Sequence, residues 1–242
     1  MKRLYHESIF YPENEEELSL LVGDVEDSGI NAKALILPHG DLRRLAPLYR
    51  DALSYAKNKK RFTLIAPIHN TLLEEDKAEI ALESECGIIS TPLGDVNIVP
   101  AGLKINEAYA EEEPAGELIL PFIAKNFKDA AVSIIYAKID NAKESKKLAE
   151  ILKSLDSEET IFIISSNLTG KVKAEELIEK RDKNAHILFD LKYLLDAYNK
   201  KECDICASGI IDSYNRINDN EWQLIAFADN DTITAHGAFY KS

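Results

Sequence analysis

Residues 33–70, KALILPHGDLRRLAPLYRDALSYAKNKKRFTLIAPIHN, alternate between two kinds of pattern. The segments 33–38 and 61–67 are short and apolar on both faces, which is typical of strands that helices cover on both sides. Between them, apolar residues from Leu45 to Ala56 recur at the spacing of one helix face. Pro47 suits this helix only if it lies in the first turn. This strand–helix–strand order predicts parallel pairing through a right-handed crossover.

The rest of the chain continues this alternation and adds two antiparallel elements. The patterns predict these further elements: strands at 130–137 and 160–166 with a helix between them, a hairpin at 87–100 with its turn at Gly94-Asp95, helices over about 184–198 and 204–217, and a strand pair at 222–228 and 232–240 with a turn at Asn230-Asp231. We therefore expect an α/β fold, with a mostly parallel central sheet flanked by helices, an inserted hairpin and a C-terminal antiparallel pair. No Gly- or Pro-rich linker divides the chain, so one domain over residues 1–242 is expected.

The composition excludes several classes of function. The chain has 242 residues and a formal net charge of −13, which argues against binding to nucleic acid or to an anionic membrane. No apolar run approaches the ~20 residues that span a bilayer, and the N-terminus lacks a secretory signal. Three cysteines are too few and odd in number for a disulfide framework. These features predict a cytoplasmic protein.

Polar residues follow three of the predicted parallel strands. His39 and Asp41 follow the first strand, His69 follows the second, and Ser165, Ser166 and Asn167 end the fourth. Ligands of open α/β sheets bind beyond the carboxyl ends of the strands, so these residues meet if the strands are neighbours. Imidazole is a good ligand for zinc, copper or iron. The pattern alone leaves open whether the two histidines bind a metal or lie at the surface.

A third metal ligand would have to come from elsewhere in the chain, and Cys203 and Cys206 are the candidates. Their Cys-x-x-Cys spacing lacks the second pair that a structural zinc site needs, and it comes too late in the chain for a thioredoxin-like motif. We interpret Cys203 as incidental. The remaining histidines have no companions and are interpreted as structural or surface residues: His6, His186 and His236.

Six segments resemble the MEMO family in the same order and at comparable spacing. They are SIFYPENEEEL (8–18), LPHG (37–40), APIH (66–69), TPLGD (91–95), ELILPF (117–122) and IISSN (163–167). Bacterial and archaeal members are often labelled AmmeMemoRadiSam system protein B. The resemblance covers nearly the whole chain. It implies a fold similar to that of the class III extradiol dioxygenases, with a cleft that carries two histidines and a third metal ligand.

The resemblance also assigns roles to residues of this chain. His39 matches the histidine of the family's PHAG, His69 matches that of GPSH, and Cys206 before Ala207 is the nearest counterpart of a late Cys-Gly. The implied site has His39, His69 and Cys206 as ligands of iron, copper or zinc, with Asp41, Glu117 and Asn167 in the cleft around them.

Several family residues are replaced here. Pro114 and Gly170 stand where the family has histidines, and Asn167 stands for an aspartate. Asn70 stands where many members carry a second histidine, and PHG lacks the alanine of PHAG. Outer-shell groups typically change metal affinity ~10–100-fold, and general acid–base catalysis contributes ~10²–10⁴-fold. We therefore expect altered metal binding and impaired dioxygenase-type catalysis.

Three functions follow as hypotheses. The first is a divergent MEMO-like protein that binds a transition metal and, if active, performs redox or oxygen chemistry on a small molecule. The second is a non-catalytic adaptor that holds a peptide or small ligand in the same cleft. The third, a hydrolase using Glu111, Glu112, Glu113 and Glu117, is the weakest, because the first three resemble a solvated helix start. The family label also suggests a functional link to radical-SAM and AMMECR-type proteins.

Overall fold

The computed structural model describes residues 4–69, 79–190, 194–228 and 233–242. Nine strands of these ranges form one sheet. The strands are β1 (Ala34–Leu37), β2 (Arg61–Pro67), β3 (Ala81–Glu83), β4 (Gly87–Thr91), β5 (Gly94–Ile98), β6 (Ala131–Ala137), β7 (Thr160–Ser165), β8 (Gln223–Ala228) and β9 (His236–Lys241). Their order across the sheet is β4-β5-β6-β2-β7-β1-β9-β8, and β3 pairs with β6.

The centre of the sheet is parallel, as the sequence predicts. β6, β2, β7 and β1 are neighbours and run in one direction, with Leu64 of β2 aligned to Ile134 on one side and Ile163 on the other. Every residue of β1 and β7 is buried. Because both faces of these strands are apolar, each face must be covered by helices.

The helices form one layer on each face of the sheet. Their bounds are α1 (Glu15–Val22), α2 (Leu42–Leu53), α3 (Ala108–Glu112), α4 (Leu120–Asn126), α5 (Ala142–Leu155), α6 (Leu177–Phe189), α7 (Leu194–Asn199) and α8 (Ser208–Asn215). α1, α2 and α4 pack with Leu35 and Ile163 in one apolar cluster. α5, α6, α7 and α8 pack with Ile36 and Ile164, which point to the opposite face, in a second cluster. The predicted α/β class with helices on both sides is confirmed.

The expectation that Pro47 lies in the first turn of helix α2 is wrong. Asp41 caps the helix by accepting a hydrogen bond from the Arg43 backbone N–H, and Pro47 is the sixth residue, beyond the first turn. A proline there removes one helical hydrogen bond and costs ~3 kcal/mol. Seven residues of the helix are buried, among them Leu45 and Leu48, and each large apolar side chain contributes ~1.5–3 kcal/mol. Packing against the sheet therefore outweighs the local cost.

The inserted hairpin is present, but its turn lies earlier than predicted. Thr91 pairs with Gly94, so the turn is Pro92-Leu93 rather than Gly94-Asp95. The Thr91 hydroxyl donates to the Gly94 carbonyl and accepts from the Leu93 N–H. Pro is favoured at the first central position of a turn because its φ is already set.

The C-terminal strands pair antiparallel as predicted, while the predicted Asn230-Asp231 turn lies outside the described residues. The predicted boundaries of the two preceding helices are wrong. The region 184–198 is divided between α6, which begins earlier, and α7. Lys201 adopts a left-handed backbone (φ +60°), so the chain leaves α7 and Cys206 lies in a loop before α8. In the described part of the chain, no helix has the length and apolarity to cross a membrane.

Candidate metal centre

Two histidines and one cysteine converge at the carboxyl edge of the parallel sheet. β2, β7 and β1 are adjacent, His39 follows β1, and His69 follows β2. Cys206 comes from the loop before α8. The nitrogen and sulfur donor atoms of the three side chains all lie within 4.8 Å of one another, and the two imidazole centroids are 4.9 Å apart. The fold thus brings together groups that are separated by 167 positions in the chain.

His39 is held by the end of β7. Its backbone N–H donates to Asn167 Oδ1 at 3.1 Å, and its carbonyl accepts from Asn167 Nδ2 at 3.1 Å. Its ring Nδ1 lies 3.0 Å from Ser165 Oγ, which leaves Nε2 facing Cys206 Sγ at 3.8 Å. Gly40 continues the loop with φ +154°, and a Cβ there would lie 3.4 Å from a Leu45 methyl group. Glycine at this position therefore lets the loop pass close to α2.

His69 is held by Glu113, a residue whose role the sequence interpretation missed. The His69 backbone N–H donates to Glu113 Oε2 at 2.8 Å, and the ring Nδ1 lies 3.0 Å from Oε1. The Glu113 side chain is only 7% exposed, so its assignment to a solvated helix start is wrong, whereas Glu111 and Glu112 are exposed. Because Nδ1 is occupied, Nε2 of His69 is the nitrogen left to face Cys206.

The signal for Glu113 lies in the residue that follows it. Pro114 disfavours helical backbone in the preceding residue, and Glu113 has φ −112° and ψ 94°. Helix α3 therefore ends at Glu112, and the Glu113 side chain turns away from the exposed face of that helix.

The loop that carries Cys206 is tied to β7 as well. The Cys206 N–H donates to the Asn167 carbonyl at 3.4 Å, and the Asn167 N–H lies 3.1 Å from Cys206 Sγ. The Ala207 N–H donates to Ser166 Oγ at 3.2 Å. At Gly209, a Cβ would lie 2.3 Å from the Ile139 carbonyl oxygen. Only glycine lets the start of α8 approach the loop after β6 this closely, so the small residues after Cys206 have a packing reason.

Contacts within the cluster shift the pKa values of Cys206 and His69. Burial acts to raise the pKa of the Cys206 thiol, but His39 and His69 lower it to about 5. Hydrogen bonds to Cys206 and Glu113 raise the pKa of His69 to about 10, against the effect of burial. At neutral pH without a metal, Cys206 is a thiolate beside the imidazolium of His69. The thiolate is the form in which cysteine binds metals, and His69 would release its proton on metal binding.

Two of the predicted cleft residues make structural contacts instead. Asp41 caps α2 and forms an ion pair with Arg43 at 3.2 Å. Glu117 is buried and accepts hydrogen bonds from the Tyr5 and His6 backbone N–H groups and from the Tyr11 hydroxyl. Among the described hydrogen bonds, none joins either carboxylate to the three clustered side chains. Glu117 anchors the N-terminal segment, whereas Asn167 does contact the cluster.

Among the remaining cysteine, histidine and family-replacement positions, Cys203, His6 and Gly170 have contacts of their own. Cys203 is buried, which raises its thiol pKa, and the ring Nε2 of His6 lies 3.3 Å from the Ala110 carbonyl. The Gly170 N–H donates to Asp204 Oδ2 at 3.2 Å. Asn70 lies outside the described residues.

A small cavity of about 80 Å³ adjoins Cys206. Its lining combines apolar residues, among them Ile68 and Ile139, with the charged residues Lys138 and Asp140, and Tyr198 also borders it. The cluster therefore has room beside it for part of a small molecule.

Comparison with known families gives one match. The model of a family described as Memo-like protein matches residues 4–236 of the 242-residue chain. No curated protein sequence matches the chain significantly.

Proposed function

Because this chain belongs to the Memo-like protein family, we propose that it binds one transition-metal ion through His39, His69 and Cys206. The observation that carries the proposal is the convergence of two imidazoles and one thiol, with donor atoms within 4.8 Å of one another. The chemistry of this donor set fits a metal, because the cysteine is a thiolate at neutral pH and each histidine has its other ring nitrogen engaged. Mixed nitrogen and sulfur ligands suit zinc, copper or iron.

The residues around the ligands give the site its orientation. Glu113 holds the His69 ring through Nδ1, and Ser165 does the same for His39, as the partners of metal-bound histidines usually do. Asn167 holds the backbone of the His39 loop on both sides. When bound, the metal would supply Lewis-acid or redox chemistry to a small molecule in the adjoining cavity.

Dioxygenase-type turnover would be impaired. Glycine at 170 and proline at 114 offer no side chain that gives or takes a proton, and this loss typically lowers rates ~10²–10⁴-fold. This observation also supports the second candidate, a non-catalytic protein that keeps the cleft for a peptide or small ligand. Oxygen uptake by the metal-loaded protein with a panel of catechols separates the two, since only the first predicts any consumption. The link to radical-SAM and AMMECR-type proteins and the cytoplasmic location stay predictions.

Metal analysis of protein purified without a histidine tag tests the metal proposal. We expect substoichiometric iron, copper or zinc in the purified protein, and its loss in the variants His39→Ala and Cys206→Ser. Cys203→Ala is the matched control, because it removes a neighbouring thiol that lies outside the donor cluster and keeps the buried position apolar. Circular dichroism would verify that each variant folds. Metal content unchanged in Cys206→Ser would contradict the proposal.

A further inference from the structure

A larger cavity of about 480 Å³ lies between α6 on one side and, on the other, the C-terminal end of α7 with the segment that follows it. This volume is within the range of small-molecule sites. Three lysines line it, Lys180 and Lys183 from α6 and Lys201 from the turn after α7, together with Asn184 and Tyr198. The rest of its lining is Asn199, Glu202, Cys203 and Asp204.

The charge of this cavity differs from that of the whole chain. The protein carries a net charge of −13, whereas the lining has three lysines against two acidic residues. One of those acids, Asp204, keeps its charge but directs its oxygens to Asn184 Nδ2 at 2.5 Å and to the Gly170 N–H at 3.2 Å. Lys180 pairs with Glu176 on its own helix at 3.9 Å. Among the ion pairs of the described residues, none includes Lys183 or Lys201, so both ammonium groups are available to an anion.

Lys201 occupies a backbone position at which glycine would make the protein more stable. It has φ +60°, and the N–H groups of Lys201 and Glu202 donate to the carbonyls of Tyr198 and Ala197. These bonds form the usual helix C-terminal motif, whose left-handed residue is most often glycine because glycine has no Cβ to strain it. A lysine there costs stability, and such local costs are common at functional positions.

The cavity adjoins the candidate metal centre through one side chain. Tyr198 lines both this cavity and the small one beside Cys206. A molecule whose anionic group contacts Lys183 and Lys201 would therefore lie beside the side chain that also borders the cavity at Cys206.

We propose that the cavity between Lys183, Lys201 and Tyr198 binds the oxyanion group, carboxylate or phosphate, of a small-molecule ligand. The ammonium groups give charge-assisted hydrogen bonds to the oxyanion, and the cavity accommodates the attached carbon skeleton. That the remainder of the ligand reaches the metal centre rests on the proposed function, whereas binding of the anion itself does not.

Titration calorimetry with inorganic phosphate and with succinate tests whether the cavity binds an oxyanion. The ionic strength is kept constant with potassium chloride. We expect at least one of the two to bind the wild-type protein, and its Kd to rise by at least about tenfold in the double variant Lys183→Gln/Lys201→Gly. Lys146→Gln, which removes an exposed lysine of α5, is the matched control and should bind as the wild type does.

Two further readouts keep the test decisive. Lys201→Gly alone should raise the melting temperature while it weakens anion binding, which separates lost function from lost folding. Anion binding by the metal-free Cys206→Ser variant should equal that of the wild type, so the result does not depend on the metal. Binding of neither anion by the wild type, or equal binding by the double variant, would overturn the proposal.

Discussion

Replacing Glu113 by glutamine probes the part of the site that the sequence pattern did not reveal. The buried carboxylate contacts His69 twice, at the backbone N–H (2.8 Å) and at ring Nδ1 (3.0 Å). Glutamine keeps the size of the side chain but offers one carbonyl oxygen where the carboxylate offers two acceptors, and its NH₂ would face a donor. The His69 ring would lose its fixed orientation toward Cys206.

The size of the effect follows from the loss of this support. Partners of metal-bound histidines typically change metal affinity by ~10–100-fold, which corresponds to about 1.4–2.7 kcal/mol. A second effect opposes the first. Glu113 helps to raise the pKa of His69 to about 10, although the bond to Cys206 contributes more, so the variant lowers the proton's competition with the metal. The weaker competition from the proton favours zinc binding by the variant most at pH values well below 10. The loss of zinc affinity relative to the wild type should therefore be larger at pH 9 than at pH 7.

Competition between the protein and a chromophoric zinc chelator measures the zinc affinity at pH 7 and at pH 9, and thus both the loss of affinity and its change with pH. Glu111→Gln is the control, because Glu111 is exposed in the same acidic run, and its affinity should equal that of the wild type. The role assigned to Glu113 would be refuted if Glu113→Gln binds zinc as tightly as Glu111→Gln at pH 9.

Three other changes test separate parts of the reasoning. Asn167→Ala removes both hydrogen bonds to the His39 backbone, so zinc affinity should fall about tenfold in the same competition assay. Pro47→Ala restores a backbone donor at an exposed position in α2 and should raise the free energy of urea unfolding by about 1–2 kcal/mol; an unchanged value would contradict the account of that helix. In metal-free Cys86→Ser/Cys203→Ser protein, alkylation of Cys206 should follow an apparent pKa near 5, and a midpoint near 8 would contradict the lowering of the thiol pKa by His39 and His69.

The fold could be predicted from the sequence because its strands are short and apolar on both faces. The segments 33–38 and 61–67 carry this pattern, and the structure has β1 and β2 there. The predicted element boundaries were wrong where no regular pattern of apolar residues marks them. The turn at Pro92-Leu93 depends on the hydroxyl of Thr91, and α6 is only weakly amphipathic. That residues 1–242 form a single domain stays a prediction.

The site was less predictable, because contacts between distant segments form it. His39 and His69 follow strands, so sheet topology alone could place them near each other. Cys206 and Glu113 have no such periodic marker. Family resemblance was needed to single out the cysteine, and the one sequence signal for the carboxylate, the proline that follows it, does not indicate a contact with His69.

The replacement at position 114 has two consequences that a sequence comparison does not separate. Proline removes a histidine that the resemblance leads one to expect, and with it a group able to transfer protons. Proline also holds the preceding backbone in an extended conformation, and Glu113 there has φ −112°, with its carboxylate on His69. The same residue that removes one expected acid–base group thus favours a firmly held His69. Under the function proposed above, the loss of the histidine at position 114 together with the retained support of His69 favours binding of a metal over turnover of a substrate.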